Sequence, residues 1–391
     1  MKLIGAMTAI ATPMFEDGTV DYSSLNNLID FQIENSISAI VAVGTTGESA
    51  TIDFEEHISL IEYFVKYVNG RIKVIAGTGA NSTIEALELT KSAKDAGADA
   101  ALLVSPYYNK PTQEGLYLHH KKIADEIQIP QILYNVPSRT ACFIEAETTH
   151  RLSLHENIIG IKDATGEMNN LEDIKKLCSE EIKDEKFFLY SGDDATSYEF
   201  LVRGGHGTIS VSSNIVPNMI SEMTRLAMDK NEAGKKIDEK INALNKILFV
   251  ESNPIPVKYA LYLMGFIELG IRLPLTILDS KFHDSLKKEL KENATELLGG
   301  DLEIDYNRNQ GNRDLINQVE EFTTISEMVE FSTMLSTTNR KKNKSLFTRI
   351  KTVDEKYPLY GKVIYEPADA YERMQRAVSY THLTLPTNRE V

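Results

Sequence analysis

The feature that most limits the fold of this chain is a regular alternation of short apolar runs and amphipathic segments over its first 215 residues. The runs are almost continuously apolar, as in strands that are covered on both faces, and the segments between them have the spacing of helices with one buried face. Eight such runs are present, at residues 4–14, 39–46, 73–79, 100–108, 131–137, 158–165, 187–194 and 207–213. The pattern is typical of repeated strand–helix units around a parallel sheet.

The number of units favours one architecture. Eight is the closure number of a (β/α)8 barrel, so we predict an α/β protein with a TIM barrel over residues 1–215 and a C-terminal helical extension over residues 216–293. An open doubly wound sheet is the alternative, but no Gly-x-Gly-x-x-Gly pattern opens any of the predicted helices.

Charge and composition argue against several classes of function. The 391 residues include 57 acidic and 42 basic side chains, a formal charge of −15, which disfavours general binding to nucleic acid. No run of about 18 apolar residues is present, so no transmembrane helix is predicted. The two cysteines, Cys142 and Cys178, are too few for a disulfide framework and lack a metal-binding spacing. We therefore expect a cytoplasmic protein that binds neither nucleic acid nor membrane.

In a barrel of this kind, catalytic side chains project from the carboxyl ends of the strands. Polar residues end four of the runs, in the segments GTTGES (44–49), PYYN (106–109), YNVPSRT (134–140) and KDATG (162–166). We expect these four segments to face one another at one mouth of the barrel.

Lys162 is the candidate nucleophile. It lies within the apolar segment GIKDAT, where desolvation disfavours the charged ammonium and so favours the neutral amine that attacks a carbonyl. On position alone, a strand-end lysine that is paired with Asp163 is the simpler interpretation, because structural ion pairs also occupy such sites.

Side chains from the neighbouring segments can assist an amine of this kind. The Tyr134 phenol and the hydroxyls of Thr45 and Thr46 can relay protons, although a tyrosine at a strand end often only packs. The planar guanidinium of Arg139 suits a substrate carboxylate, and a surface salt bridge is the alternative.

Together these segments resemble the dihydrodipicolinate synthase family, within the pyruvate-dependent class I aldolases and lyases. The resemblance covers residues 1–293 and rests on the motifs GTTGESAT, VIAGTGANST, VSPYYNKPTQEGLY, QILYNVPSRT, IIGIKDATG, LYSGDDA, GGHGTISV and NPIPVKYAL. It implies condensation of pyruvate with aspartate 4-semialdehyde, giving 4-hydroxy-tetrahydrodipicolinate in diaminopimelate and lysine biosynthesis. Against this background, we expect Lys162 to form a Schiff base with pyruvate.

The resemblance also implies roles for the residues around this lysine. Thr46 and nearby amides would hold the pyruvate carboxylate. Tyr134, Thr45 and Tyr108 would form a proton relay, with Tyr108 reaching into the site of a neighbouring subunit. This arrangement requires at least a dimer, and the family suggests a homotetramer that is a dimer of dimers.

Three further positions are assigned to substrate binding by the same resemblance. Arg139 would bind the carboxylate of the semialdehyde, and Gly192 and Ile209 would contact substrate. Neither a metal nor another cofactor is implied, because the protonated imine itself withdraws electrons.

Some members of the family are inhibited by L-lysine at a cleft between subunits. The matching positions here are Ser49, Ala50, His57, Asn81, Glu85 and Tyr107. Glu85 is the natural partner for the amines of this effector, but Phe54 stands where lysine-sensitive members carry a histidine. In the alternative interpretation, Glu85 only caps its helix and His57 lies on a solvated helix face.

Two other functions remain open at this point. A related pyruvate-dependent lyase that acts on a sugar acid would keep Lys162 and Tyr134 but has no obvious use for Arg139. A non-enzymatic binding module would use Lys162 only as a partner in an ion pair.

The sequence beyond residue 293 lies outside the resemblance. Residues 294–375 resemble the extracytoplasmic part of an export-type transport permease, and residues 376–391 resemble the translated adapter tails of some assembled reading frames. We interpret residues 294–391 as an unrelated, poorly integrated and chimeric tail, so activity should survive its removal. An appended regulatory domain is the alternative.

Overall fold

The computed structural model describes residues 2–297, 328–336 and 345–353. The chain divides into two compact units, Met1–Leu297 and Leu298–Val391. In the first unit, eight parallel strands form a closed barrel, which confirms the predicted TIM barrel. The strands are β1 Gly5–Ala9, β2 Ala39–Ala42, β3 Lys73–Gly77, β4 Ala100–Val104, β5 Gln131–Asn135, β6 Ile158–Asp163, β7 Phe188–Ser191 and β8 Gly207–Ser210.

Helices cover the outside of the barrel and form the extension. Those that connect the strands are α1 Tyr22–Glu34, α2 Phe54–Val68, α3 Thr83–Ala96, α4 Gln113–Glu126, α5 Pro137–Thr140, α6 Ala146–Ser153, α7 Met168–Leu177, α8 Ser179–Lys183 and α9 Ser197–Val202. The extension contains α10 Pro217–Met228, α11 Ala233–Ile247, α12 Ile255–Leu263 and α13 His283–Leu297. Its last helix therefore continues four residues beyond the predicted boundary at residue 293.

Apolar side chains on both faces of each strand explain the near-continuous runs in the sequence. In β5, Ile132 and Tyr134 belong to the cluster inside the barrel, whereas Leu133 packs in a cluster with residues of the covering helices. Successive side chains of a strand point to opposite faces, so a strand that is covered twice is apolar at nearly every position.

Pairing between the first and last strands closes the barrel. Gly5 of β1 lies opposite Gly207 of β8 in the parallel register. A Cβ atom at Gly207 would lie 2.4 Å from the carbonyl oxygen of Gly5, so a larger residue there would force the two strands apart.

Helices α2 and α3 differ in how their first turns are capped. Asp53 caps α2, and its Oδ1 accepts a hydrogen bond of 2.9 Å from the backbone N–H of Glu56. Ser82 precedes α3 but makes no capping hydrogen bond with its side chain. Only Asp53 therefore stabilises its helix through a side-chain cap.

In the second unit, the described residues form two antiparallel strands, β9 Met328–Ser336 and β10 Ser345–Val353. Apart from these strands and residues 294–297, the predicted segments 294–375 and 376–391 lie outside the described residues. Their assignment remains a prediction. Within the described ranges, no helix is long and apolar enough to cross a membrane.

Candidate active site

A cavity of about 190 Å³ opens at the carboxyl ends of the barrel strands. This is the end at which TIM barrels place their chemistry. Seven residues that were singled out from the sequence line it, namely Thr45, Thr46, Ser49, Tyr134, Arg139, Lys162 and Gly192. The fold thus brings together side chains that are more than 100 residues apart in the chain.

Lys162 lies in the wall of this cavity and is only 4% exposed. Tyr134 and Lys162 are paired in the register of β5 and β6, and the Lys162 Nζ is 4.4 Å from the centre of the Tyr134 ring. The Lys162 amine therefore lies over the face of the Tyr134 ring, as in a cation–π contact.

Asp163 points away from this lysine. Its Oδ2 accepts a hydrogen bond of 2.8 Å from Asn170, its Oδ1 accepts one of 3.1 Å from the backbone N–H of Thr165, and burial raises the pKa of its carboxyl group. In the described part of the chain, Lys162 and Asp163 form no ion pair. The ion-pair interpretation is therefore wrong, because adjacent residues of a strand face opposite sides.

Gly192 provides the space that the Lys162 side chain occupies. A Cβ atom at this position would lie 2.7 Å from the Cε and 2.9 Å from the Cγ of Lys162. The Gly192 backbone N–H also donates a hydrogen bond of 2.7 Å to the Asp163 carbonyl, which fixes the glycine beside β6. Only a glycine at this position leaves the lysine in its observed place.

The turn that carries Thr45 and Thr46 begins and ends in unusual backbone conformations. Val43 and Glu48 have positive φ angles of 52° and 62°, which non-glycine residues seldom adopt. Thr46 is 1% exposed, and its Oγ1 accepts a hydrogen bond of 3.0 Å from the Nδ2 of Asn253. The surrounding structure therefore holds the turn in place.

Arg139 lies on α5, directly after β5, and lines the same cavity. Its Nη2 donates a hydrogen bond of 3.3 Å to the carbonyl oxygen of Asn253. Asn253 also lines the cavity but was given no role from the sequence, although it opens the motif NPIPVKYAL. A polar residue at the start of an apolar, proline-containing segment was the one signal that could have revealed it.

Two of the residues predicted to be catalytic or to bind substrate do not line the cavity of their own chain. Tyr108 is 89% exposed and has a positive φ of 74°, so its phenol projects from a constrained turn. Ile209 is 1% exposed and packs in the cluster inside the barrel. Both assignments therefore still rest on the family resemblance.

Residues of the predicted effector site have several different surroundings. His57 is buried at 5% exposure, its Nε2 lies 2.7 Å from the Gly77 carbonyl oxygen, and burial lowers its pKa. The interpretation of His57 as part of a solvated helix face is wrong, because the residue shares the inner side of α2 with Leu60, Ile61 and Phe64.

Glu85 and Tyr107 lie near each other at the surface. Tyr107 is 38% exposed, and partial burial together with the charge of Glu85 raises its pKa. Ala50 is also exposed, and the Asn81 carbonyl accepts a hydrogen bond of 2.9 Å from Asn109. These residues can provide one carboxylate, one phenol and polar backbone groups to a ligand.

No cluster of three or more His, Cys, Asp or Glu side chains with the geometry to hold a metal ion occurs among the described residues. The groups that line the cavity are an amine, a phenol, hydroxyls, a guanidinium, the Asp193 carboxylate and the Asn253 amide. A buried lysine of this kind at a barrel mouth defines a class of proteins that bind carbonyl compounds covalently.

Comparison with known proteins identifies the family within this class. The model of the Dihydrodipicolinate synthetase family matches residues 2–293. A 4-hydroxy-tetrahydrodipicolinate synthase from Pseudomonas putida (strain W619) is 54% identical over 293 residues, which are 75% of this chain and 99% of that protein. The chain therefore belongs to the dihydrodipicolinate synthetase family.

Two solved structures of similar proteins cover the same part of the chain. The chloride-inhibited dihydrodipicolinate synthase from Acinetobacter baumannii, complexed with pyruvate, is 51% identical and covers 75% of this chain and 99% of its own, with a TM-score of 0.72. The enzyme from Cyanidioschyzon merolae with lysine bound is 38% identical and covers 74% of this chain and 98% of its own, with a TM-score of 0.71.

The space at Gly192 gives a direct test of the expected Schiff base. Gly192→Ala should displace Lys162 and lower the yield of the borohydride-reduced pyruvate adduct by about 100-fold, because a shift of about 1 Å at a reacting group has effects of this size. Gly115→Ala in α4 is the control, because it adds the same methyl group at a residue that does not line the cavity. Unchanged trapping in Gly192→Ala would show that Lys162 is not the trapped amine or tolerates the shift.

Proposed function

We propose that this chain condenses pyruvate with aspartate 4-semialdehyde to form 4-hydroxy-tetrahydrodipicolinate, a step of diaminopimelate and lysine biosynthesis. The observation that carries the proposal is the buried amine of Lys162 beside the Tyr134 phenol in a cavity at the barrel mouth. The named activity of the similar proteins and the presence of pyruvate in one of them support the same reaction.

The amine of Lys162 would attack the keto carbon of pyruvate, and loss of water would leave an imine between the two. Thr46 and neighbouring backbone amides would hold the pyruvate carboxylate at the turn after β2. Loss of a proton from the methyl group then gives an enamine, which attacks the aldehyde carbon of the semialdehyde. The amino group of the semialdehyde then replaces the Lys162 amine at the imine carbon, which closes the ring of the product and frees the lysine. The protonated imine withdraws electrons, so these steps require no metal.

Tyr134 and Thr45 would move the protons that imine formation and collapse require, because both line the cavity around Lys162. The third member of this relay, Tyr108, would come from a neighbouring subunit. Its 89% exposure and constrained backbone fit a side chain that is presented to another copy of the chain. We therefore propose a homo-oligomer that contains at least this dimer, built as a dimer of dimers.

Arg139 would select the second substrate. Its guanidinium lies at the cavity, held by the Asn253 carbonyl, and carries no ion pair with a carboxylate among the described residues. It is therefore available for the carboxylate of the semialdehyde. This favours the proposed reaction over that of a lyase acting on a sugar acid, which has no obvious use for such an arginine.

A reducing cytoplasm is the proposed location of the enzyme. Cys142 and Cys178 are both free and buried, and burial raises the pKa of each thiol, to about 11 for Cys178. Such thiols react slowly, so they fit a compartment in which no disulfide is needed. Recovery of the enzyme outside the cytoplasmic fraction after cell fractionation would count against this placement.

Two substitutions should separate the two substrates. Lys162→Ala should abolish the mass shift that pyruvate and borohydride leave on the protein, because only an imine is reduced to a permanent adduct. Arg139→Ala should leave this adduct nearly unchanged but lower kcat/KM for the semialdehyde by at least about 100-fold, through loss of a charge-assisted contact. Arg139→Lys keeps the charge and serves as the control. Equal loss of both properties in Arg139→Ala would remove its assignment to the second substrate.

The role of Tyr108 in a second subunit predicts complementation between inactive variants. In a two-fold dimer, a mixture of Lys162→Ala and Tyr108→Phe chains forms mixed pairs in which one site has both groups. Random reassortment should restore about a quarter of the wild-type activity, measured after the two variants are unfolded and refolded together. Refolding of each variant alone is the control, and a mixture no more active than its parts would place Tyr108 in its own subunit's site.

We also propose that L-lysine inhibits the enzyme at a surface that includes Glu85 and Tyr107. Their proximity supports the proposal, as does the bound lysine in the similar protein from Cyanidioschyzon merolae. Activity should fall as L-lysine is raised to about 1 mM, and Glu85→Gln should weaken the inhibition at least tenfold by removing a partner of the effector amine. D-lysine is the control for specificity, and full activity at about 10 mM L-lysine would exclude this regulation.

A further inference from the structure

A buried ion pair lies directly behind the Thr45–Thr46 turn. Lys258 donates a hydrogen bond from its Nζ to the Oε1 of Glu48, and the two side chains are 5% and 0% exposed. Burial lowers the pKa of Lys258, and the charge of Glu48 opposes this shift. Both residues belong to quoted motifs, GTTGESAT and NPIPVKYAL, but neither has a role in the chemistry proposed above.

The second oxygen of the same carboxylate is also bound. Glu48 Oε2 accepts a hydrogen bond of 3.2 Å from the backbone N–H of Arg272. The Arg272 guanidinium in turn binds both oxygens of Glu56, at 2.5 and 2.8 Å, and its Nε donates to the Gly18 carbonyl at 2.8 Å. Glu48 is thus held from two sides by the C-terminal extension, and the extension itself is tied to α2.

Two contacts join one short segment of the extension to the turn. Asn253 donates a hydrogen bond to the Thr46 hydroxyl at 3.0 Å, and Lys258, five residues later on α12, binds Glu48. Since Thr46 and Glu48 are two residues apart, these contacts fix both the position and the tilt of the turn between them. Glu48 has a positive φ of 62°, so the backbone would not be expected to keep this shape without such support.

An ion pair that is buried this completely adds little to the stability of a fold. Removal of two charges from water costs free energy that their attraction only partly returns, and an apolar pair of similar size often stabilises a protein as well. What an ion pair adds is direction, because the ammonium and the carboxylate fix each other's positions through hydrogen bonds.

We propose that Glu48 and Lys258 are positioning residues that set the geometry of the pyruvate-carboxylate site through the Thr45–Thr46 turn. The inference rests on the proposed function, in which Thr46 holds that carboxylate. Neither residue lines the cavity, so both act through the turn and not by contact with the substrate. The extension, which follows the eighth strand, is therefore a necessary part of the pyruvate site.

The test separates positioning from support of the fold. Glu48→Gln keeps the size of the side chain but removes its charge, and leaves a buried ammonium without a counter-ion. The double variant Glu48→Gln with Lys258→Met removes both charges and restores an uncharged interior. Folding is followed by thermal unfolding, and pyruvate binding by the concentration that gives half-maximal borohydride trapping.

We expect Glu48→Gln to unfold at a lower temperature and to need at least about tenfold more pyruvate, with a smaller change in kcat at saturation. The double variant should recover the unfolding temperature but keep the raised requirement for pyruvate. This separation is the expected signature of positioning. The inference would be overturned if the double variant recovered both the unfolding temperature and the normal pyruvate requirement. It would also be overturned if a folded variant reached half-maximal trapping at a pyruvate concentration within about twofold of wild type. If Glu48→Gln does not fold, the double variant decides the question alone.

Lys122→Gln is the matched control for loss of a lysine from an ion pair. Lys122 pairs with Glu126 on the exposed side of α4, and its loss should change neither property. Trapping by the wild-type chain is measured in the same series. Its absence there would refute the proposed function, whereas trapping that is normal in wild type and in both variants would refute only the role of Glu48 and Lys258.

Discussion

Closure of the barrel is the constraint on which the rest of this structure depends. The pairing of β1 with β8 joins residues that are about 200 positions apart, and its close approach leaves room only for glycine at position 207. Closure turns eight separate strand ends into one ring. Tyr134 and Lys162 become neighbours on adjacent strands, and Gly192, just after the next strand, leaves space for the lysine side chain. The amine is therefore placed by the same hydrogen bonds that hold the sheet together.

The barrel supplies only part of the site. The strand ends contribute the amine and the phenol, but the turn that carries Thr45 and Thr46 starts and ends in left-handed conformations that need support. This support comes from Asn253 and Lys258 in the extension. The same segment accepts a hydrogen bond from Arg139. One stretch of chain outside the barrel thus connects the groups assigned to the two substrates.

Much of the fold and of the site could be predicted, because buried strands and helix faces require apolar residues at characteristic local spacings. Each strand lies within one predicted apolar run, and the lysine inside such a run lies at the cavity. The same spacing already excluded two of the alternative interpretations. Period-two alternation already placed Lys162 and Asp163 on opposite faces, and helical spacing already placed His57 on the buried side of α2 with Leu60, Ile61 and Phe64.

The sequence by itself determined the eight barrel strands, their order along the chain and the amine suited to a carbonyl, since periodicity and residue type are local properties. Only the tertiary structure decided which distant side chains became hydrogen-bond partners. Lys258 and Glu48 are 210 residues apart and Asn253 and Thr46 are 207 apart, and no local pattern records which distant polar group will meet which. Most buried polar side chains have a hydrogen-bond partner, and the identity of that partner depends on how the closed barrel and its extension pack.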